Sequence, residues 1–481
     1  MTDCAALSRA LPGKVHFPGS PSYTASKTSY FAAFENELSP SCFVQPSNAA
    51  EVAVVVRAVK LACANSNQAQ LAVRSGGHTA WAGSANINNG VTIDLSNLAS
   101  ITLSPSKKIV SIGVGNKWGD VYETLQAKGV AVAGGRVSKV GVGGLTLGGG
   151  LTYFTAASGM VCDNVIAYEV VLASGEVIEV TSASHHDLFI ALKGGGSNFG
   201  IVTRVDLPTF EQGGMWGGAI FYPNGSYPSL INAFVDFSES TAPDEKATII
   251  VAATYVSAEG PISGEIGISN LYYSTPTPNP PSLQPFSAIQ PQLMSTLRND
   301  SLLGFSQEQS AFNSNGARQW FFTTSFKVEK QFMLDIHRFF SETVESLKKQ
   351  PGFVISMVFH PITPQIIQSS LDKGGNSLGM SVSDGPFVVC LVNTVHSNAE
   401  SDDLVSTGAL KLIKQIEDLS AKRSLVSRYR FYNYGYKSQQ IIEGYGPENI
   451  AKMKDVSKRY DPSGFFQTIV TGGFKVSAVK L

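Results

Sequence analysis

The stretch AGGRVSKVGVGGLTLGGGLTYFTAASGMVCDN, residues 133–164, carries nine glycines, where average usage near 7% would give about two. Glycine loses more backbone freedom on folding than any other residue, so this density weakens regular structure. It makes sense where a backbone must approach a ligand or another chain segment closely. A glycine-rich turn packed on a neighbouring strand is the competing reading. Gly141, Gly143 and Gly144 are followed by Thr146, which breaks a GxGxxG fingerprint, and no GKS or GKT occurs. A Rossmann dinucleotide site and a phosphate loop therefore both explain the stretch poorly.

Two shorter loops share its character: VRSGGHTAWAG at 73–83 and LKGGGSNFG at 192–200. Brought together, residues 74–78, 134–150 and 194–200 would form concave walls of amide N–H groups able to hold a pyrophosphate. His78 directly follows Gly76 and Gly77. An imidazole there can serve as a covalent anchor, although a lone histidine after a turn is ordinarily a surface or hydrogen-bonding residue.

Around these loops the pattern alternates between strand and helix periods. SNAAEVAVVVRAVKLACANSN (47–67) reads as a helix that Asn48 can cap, with Glu51 three residues on. QLAVRSGG (70–77), GVTIDLS (90–96) and KIVSIGVG (108–115) read as strands, and NKWGDVYETLQAKG (116–129) as a helix ending at Gly129. VIAYEVVLASGEVIEV (165–180) reads as two strands about a Ser174-Gly175 turn; HHDLFIALKGGGSNFGIVTRVDL (185–207) reads as helix, glycine loop and strand. The texture changes near residue 210. The runs ATIIVAATYV, FFTTSFKV, FVISMVFHPI and FVVCLVNTV alternate with two amphipathic helices, near 329–349 and 401–422, and STPTPNPPSLQP (274–285) reads as loop. This implies an open sheet with helices on one face, an α+β arrangement. Glycine and tyrosine texture returns over 430–481.

The 481 residues predict two or more domains, or one with a large insertion. The net charge is −1 and only 15% of residues are charged, so neither nucleic acid nor an anionic membrane is an expected partner. No apolar run long enough to span a bilayer occurs. The first residues, MTDCAALSRALPGKV, lack a signal peptide's apolar stretch, so the protein acts inside the cell or a leader has been removed. Five cysteines without a CxxC pair predict no metal site. The odd count fits buried thiols, with a single disulfide as the rival. Asn224-Gly-Ser and Asn299-Asp-Ser match glycosylation sequons, a frequent coincidence.

Taken together, VRSGGHTAWAG, VGVGGLTLGGGLTYFTAASGMVCDNV, LKGGGSNFGIVTRV, FYNYGYKS and YDPSGFFQTIVTGGFK, in this order along the chain, resemble the berberine-bridge-enzyme-like FAD-linked oxidoreductases, within the vanillyl-alcohol oxidase and p-cresol methylhydroxylase superfamily. The fungal secondary-metabolism branch is the nearest in character. The resemblance implies a two-lobed α+β fold. Residues 1–207 would form a PCMH-type FAD-binding domain completed by 430–481, and 208–429 a substrate domain with a helix-covered antiparallel sheet. FAD would be bonded through its 8α-methyl to His78. Around that histidine the motif implies cofactor contacts from Arg74, Ser75, Gly76, Gly77 and Thr79. The second loop would add Val137, Ser138, Val140, Gly141, Gly143, Gly144, Gly148 and Gly149. Gly200, Val202 and Asn433 complete the set.

Many relatives carry a second, cysteinyl tether where this chain has Val137. A single histidyl linkage is therefore expected, and Cys162 reads as a core thiol. The resemblance also implies a Cys4–Cys63 disulfide. Val140 stands where oxygen-reactive relatives carry a small residue, which points to an oxidase. Phe431 stands where several alcohol-oxidising relatives carry a basic tyrosine, and Tyr432, read as the next residue of a strand, would point the other way. Tyr434, Tyr436, His360 and His396 remain as candidate bases, and Tyr153 as a pocket residue.

The expected reaction is hydride loss from a mostly apolar natural-product intermediate to covalent flavin, with O2 reoxidation to H2O2 and capture of the electrophile by ring closure where a neighbouring nucleophile exists. The alternatives are a flavin-containing cyclase without net redox, which Phe431 favours, and a scaffold that has lost its flavin. A monomer or weak homo-oligomer is expected.

Overall fold

The computed structural model describes residues 4–65, 70–312 and 315–480. Residues 66–67, the end of the first helical stretch, and the first three residues of the chain lie outside the described residues.

Three sheets carry the fold. The first, ordered β1-β2-β4-β3, is built from Val15–His16, Cys42–Val44, Leu71–Arg74 (β3) and Val91–Asp94 (β4), with β2, β3 and β4 mutually parallel through β4. The second, β5-β6-β10-β8-β9, is antiparallel. It takes Ile101–Leu103, Ile109–Gly113 (β6), Ala167–Val171 (β8), Val177–Thr181 (β9) and Ile201–Pro208 (β10). Val130–Ala131 (β7) pairs with Phe210–Glu211 (β11). The third sheet is large and antiparallel. It comprises Met215–Pro223 (β12), Ala247–Val256 (β13), Gly264–Tyr273 (β14), Met294–Ser295 (β15), Arg298–Asp300 (β16), Arg318–Lys327 (β17), Val354–Ile362 (β18) and Phe387–His396 (β19). Its order is β15-β12-β14-β13-β18-β19-β17, with β16 also on β12. The α+β expectation therefore holds.

Alternation along the third sheet divides its two faces. Ile249, Val251 and Ala253 of β13 and Ile355, Met357 and Phe359 of β18 enter one core with the helices Tyr227–Ser238, Lys330–Leu347 and Asp402–Lys422. Their neighbours Ile250, Ala252, Thr254, Ser356, Val358 and His360 point the other way, towards the glycine loops. A second core unites the first two sheets with the C-terminal segment, from Leu7 through Leu207 to Val479. The chain end closes this lobe: Leu71 N donates to Ile469 O at 3.0 Å, and Thr471 N to Leu71 O at 2.8 Å.

The helix Ala49–Asn65 is capped as expected, Asn48 Oδ1 accepting from Glu51 N at 2.9 Å. The sequence reading missed β12 and β14, the short strands β1, β2 and β5, and the helices Cys4–Ala10, Pro21–Lys27, Tyr227–Ser238, Leu302–Ala311, Pro364–Asp372 and Pro447–Tyr460. The stretch 274–285 is mainly loop, with a short turn at Pro281–Leu283. FYNYGYKS is not a strand but contains a 3-10 turn at Tyr432–Tyr434, so the argument that Tyr432 faces away from the site fails.

The disulfide expectation is also corrected. Cys4 pairs with Cys42, Cα–Cα 6.2 Å. Cys42 begins β2 beneath the helix Cys4–Ala10, whereas Cys63 sits near the far end of the helix Ala49–Asn65. Cys162 is a buried thiol, and burial pushes its pKa well up.

The Cys4–Cys42 bridge closes a loop of 38 residues, for which chain entropy allows up to about 4 kcal/mol. Cys42→Ser is expected to lower the thermal midpoint by a few degrees, and a reducing agent to lower the wild type by the same amount. Differential scanning fluorimetry with and without reductant checks both.

Candidate active site

Between the glycine loops and the open face of the third sheet lies a cavity of about 420 Å³. The loops meet there because two backbones nearly touch. A Cβ on Gly76 would stand 2.5 Å from Gly141 Cα, and one on Gly141 2.4 Å from Gly76 N. No side chain fits at either position. Gly77 has φ of +64°, a conformation that favours glycine. Ser75 staples the junction: its Oγ donates to Val114 O at 2.6 Å and accepts from Gly143 N at 3.1 Å.

Ser75, Gly76, Gly77, His78, Thr79, Val137, Val140, Gly141, Gly143, Gly144, Gly200 and Val202 all line this cavity, and all three glycine loops contribute. Asn433 lines it too. Its Nδ2 donates to Gly144 O at 3.1 Å and Leu145 O at 3.3 Å, while its Oδ1 accepts from Gly150 N at 3.1 Å. It thus clamps the end of the short helix Val142–Leu147.

The His78 ring stacks on Phe31 at 3.7 Å with an interplanar angle of 14°, and Phe31 N donates to Gly77 O at 3.0 Å. Burial lowers the His78 pKa to about 3, helped by Lys117 and Lys139, so the imidazole is neutral and nucleophilic. Its Nε2 is buried without a partner among the described residues. A Cβ on Gly144 would meet open space. Among the described residues, no backbone or side-chain acceptor takes the N–H groups of Gly76, Gly77 or Thr79. An orphaned imidazole nitrogen beside unclaimed amides suits a flavin dinucleotide.

Where the glycine loop meets the sheet, Arg136 of that loop, His360 of β18 and Tyr434 of the C-terminal segment form one cluster. Arg136 Nη2 donates to the Tyr434 hydroxyl at 2.9 Å, and Arg136 Nη1 to His360 Nδ1 at 3.2 Å. A guanidinium cannot accept, so His360 carries its proton on Nε2, which lies 3.3 Å from the Tyr434 oxygen. Burial and then Arg136 hold the His360 pKa well below its usual range. Phe431 packs edge-on against Tyr434 at 4.8 Å, and Tyr432 also faces the cavity. A second cavity of about 450 Å³ lies beyond, sharing Arg136, His360 and Leu151 with the first.

The structure places other sequence-derived candidates outside the main cavity. Arg74 turns away: Nη1 donates to Ser26 O at 2.7 Å, Nη2 to Ser29 Oγ at 2.7 Å, and Asp94 lies at 3.9 Å. It braces the loop from behind. Ser138 hydrogen-bonds Ser310 at 2.8 Å. Gly148 sits under the Asn433 amide, and Gly149 is tied by backbone hydrogen bonds to Thr146 and Cys162. Tyr153 donates to Arg136 O at 2.7 Å, so it positions Arg136 from behind, and burial pushes its pKa well up. Tyr436 packs on Phe322 at 4.7 Å in the helix-side core. His396 binds Asp402 at 2.7 Å and stacks on Trp320; its burial lowers the pKa while Asp402 opposes.

Sequence reasoning missed Arg136 and Phe31. Arg136 carried a signal: it is a charged residue inside an otherwise small and apolar glycine loop. Phe31 carried none, because its role arises from a stacking contact across 47 residues of chain (78 − 31).

The close approach at Gly141 yields a direct expectation. Gly141→Ala drives a methyl into the Gly76 backbone, so the purified variant is expected to retain markedly less flavin than wild type, read from the visible-to-ultraviolet absorbance ratio. Full retention would show that the loops can separate without consequence.

Known proteins agree with this geometry. A family profile described as an FAD binding domain matches residues 40–181. The FAD-dependent monooxygenase tpcD of Cochliobolus heterostrophus is 32% identical, covering 96% of this chain and 90% of that protein. Among solved structures, 6-hydroxy-D-nicotine oxidase of Arthrobacter nicotinovorans superposes with a TM-score of 0.77 at 20% identity, over 95% of this chain and 97% of that one. Glucooligosaccharide oxidase of Acremonium strictum, whose FAD is described as 6-S-cysteinyl and 8α-N1-histidyl, superposes at 0.75 and 16% identity, over 98% and 99%. With its loops, its cavity and this likeness over nearly its whole length, the chain belongs to the berberine-bridge-enzyme-like family of FAD-linked oxidoreductases.

Proposed function

We propose that the protein is an FAD-dependent oxidase that takes a hydride from a carbon of an apolar natural-product intermediate, with Tyr434 as the base and O2 as the acceptor. The observation that carries this reading is the Arg136–Tyr434–His360 cluster, which faces the same cavity as His78. The FAD lobe would comprise residues 1–207 and 430–481, and the substrate lobe 208–429; the helix-covered face of the third sheet has a core of its own, while the core of the first two sheets extends across the seam to Met215, Tyr272, Phe305, Ile362 and Val389.

His78 would tether the cofactor alone, because Val137 lines the cavity where a second, cysteinyl bond would need a thiol. The amides of Gly76, Gly77 and Thr79 would hold its diphosphate. Bound flavin supplies a two-electron acceptor that O2 can reoxidise. This chain's residues do the rest. Two donors, the Arg136 guanidinium and the His360 Nε2–H, converge on the Tyr434 oxygen, an arrangement that stabilises charge there when a proton leaves. His360 stays neutral because protonation would place a second cation against Arg136 in a buried site. Tyr153 and Asn433 hold Arg136 and the glycine helix in place. Val140 borders the cavity with a modest side chain, which supports access by O2.

Anaerobic mixing with candidate intermediates tests the reading. An oxidase bleaches its flavin and, once air is admitted, forms one H2O2 per product. Labelled oxygen appearing in the product would identify a monooxygenase, the name its relative carries. Turnover with unbleached flavin and an isomeric product would identify a cyclase.

Two substitutions follow. His78→Ala is expected to leave all bound flavin extractable by acid, whereas wild type keeps its colour in the precipitate. Tyr434→Phe is expected to retain flavin yet slow flavin reduction by about 10²- to 10⁴-fold, the usual worth of a general base; stopped-flow absorbance reads it. A near-normal rate in that variant would remove Tyr434 from the mechanism.

A further inference from the structure

Strand register composes the cavity wall formed by the third sheet as cross-strand rows. Thr254 of β13 pairs with Ser356 of β18, and Ser356 with Asn393 of β19. The next row in is apolar: Ile268 pairs with Ala252, Ala252 with Val358, and Val358 with Leu391. Two residues further along β18 stands His360, bonded to Arg136 and the Tyr434 hydroxyl, while the Tyr434 ring reaches back to pack at 5.9 Å on Phe321, the β17 partner of Asn393. All of these side chains line the cavity. The wall therefore runs polar, apolar, polar. From His360 to Ser356 is four residues of extended strand, about 13 Å.

The far row is equipped to bind. Thr254 Oγ1 donates to Ser356 Oγ at 3.0 Å, which leaves the Ser356 hydroxyl hydrogen to point elsewhere. The Asn393 carboxamide hydrogen-bonds no other side chain or backbone group among the described residues, and offers both donor and acceptor. The row is uncharged. Arg136 is the one Lys, Arg, Asp or Glu among the described residues that line this cavity, and it lies at the other end. A charged group at the Asn393 end would lose its hydration with no counter-ion to replace it.

We propose that Thr254, Ser356 and Asn393 form a second recognition subsite. It takes a neutral hydrogen-bonding group, such as a carbonyl, carboxamide or hydroxyl, on the far end of an elongated substrate. The substrate's flat apolar body lies along Ile268, Ala252, Val358 and Leu391. Its reacting end meets Tyr434. The subsite rests on the reading that substrate lies between the flavin and this sheet, and it adds what that reading lacks: a polarity pattern for the substrate.

The test uses the flavin-loaded protein and three trans-stilbenes, each with a para-hydroxyl on one ring. The other ring carries a para-methyl, a para-carboxamide or a para-carboxylate. Affinity is read by calorimetry and, separately, by perturbation of the flavin's visible band. Wild type is expected to bind the carboxamide about five- to tenfold tighter than the methyl compound, the worth of one to two net hydrogen bonds, and to bind the carboxylate most weakly. In Asn393→Leu and in Ser356→Ala the carboxamide-to-methyl ratio is expected to fall towards one. Ser356→Ala carries the test alone if Asn393→Leu fails to load flavin. An unchanged ratio in the variants, a preference for the carboxylate, or no binding of any probe overturns the subsite. Probes that bind without disturbing the visible band overturn the placement of substrate over the flavin instead, and the subsite with it.

Discussion

Two peptide backbones, at Gly76 and Gly141, pass closer than any side chain allows. This contact joins the end of β3 to the start of the helix Val142–Leu147 and sets the concave wall of the site. Its neighbours are arranged around it. Ser75 bridges Val114 and Gly143, Arg74 anchors the loop to the N-terminal segment, and Asn433 grips the far end of the helix. The dense glycine content at 133–164 is thus a consequence of close approach and not of flexibility: most of these residues are buried or half-buried and firmly bonded.

The opposing wall obeys a different rule. The long strands of the large sheet, β12, β13, β14, β17, β18 and β19, serve two masters, with alternate residues given to the helix-covered core and to the cavity. Among the described residues that line the cavity the single Lys or Arg is Arg136, which reaches this wall from the glycine loop and is held by hydrogen bonds to Tyr434 and His360 and by the Tyr153 hydroxyl on its carbonyl. Low polarity around that cation strengthens its hold on the phenol oxygen. A low overall charge content, 15%, concentrates electrostatic influence in the few charged groups that reach the interior.

Legibility in the sequence followed the range of the interactions involved. The glycine loops and His78 were readable because their chemistry is local: bare backbone beside an imidazole. β3, β4, β6, β8, β9 and β10 were readable from short-range periodicity, and the cap at Asn48 from its residue type, whereas the two- and three-residue strands β1, β2, β5 and β7 are too short to show a period. β12 and β14 escaped because MWGGAIFY and GEIGISNLYY mix glycine and polar residues into strands whose partners lie far along the chain. The Cys4–Cys42 pairing escaped because it depends on where a helix docks on a strand. The tyrosine segment at 431–436 was misread as a strand because a 3-10 turn leaves no alternation to detect, and the turn is what lets Phe431, Tyr432, Asn433 and Tyr434 all face one cavity. His396 and Tyr436 had suitable chemistry but were claimed by Asp402 and Phe322.

The docking of the C-terminal segment on Leu71 has an outcome during synthesis. The edge of β3, directly before the glycine loop, receives its partners from Ile469 and Thr471, some 400 residues downstream. A nascent chain still threaded through the ribosome therefore presents an unfinished nucleotide cradle, and Asn433 and Tyr434 are also late arrivals. The cradle is complete only once residues 433–434 and 469–471 have been made, and removing Ile469 and Thr471 would leave Leu71 at the edge of β3 without these two backbone hydrogen bonds.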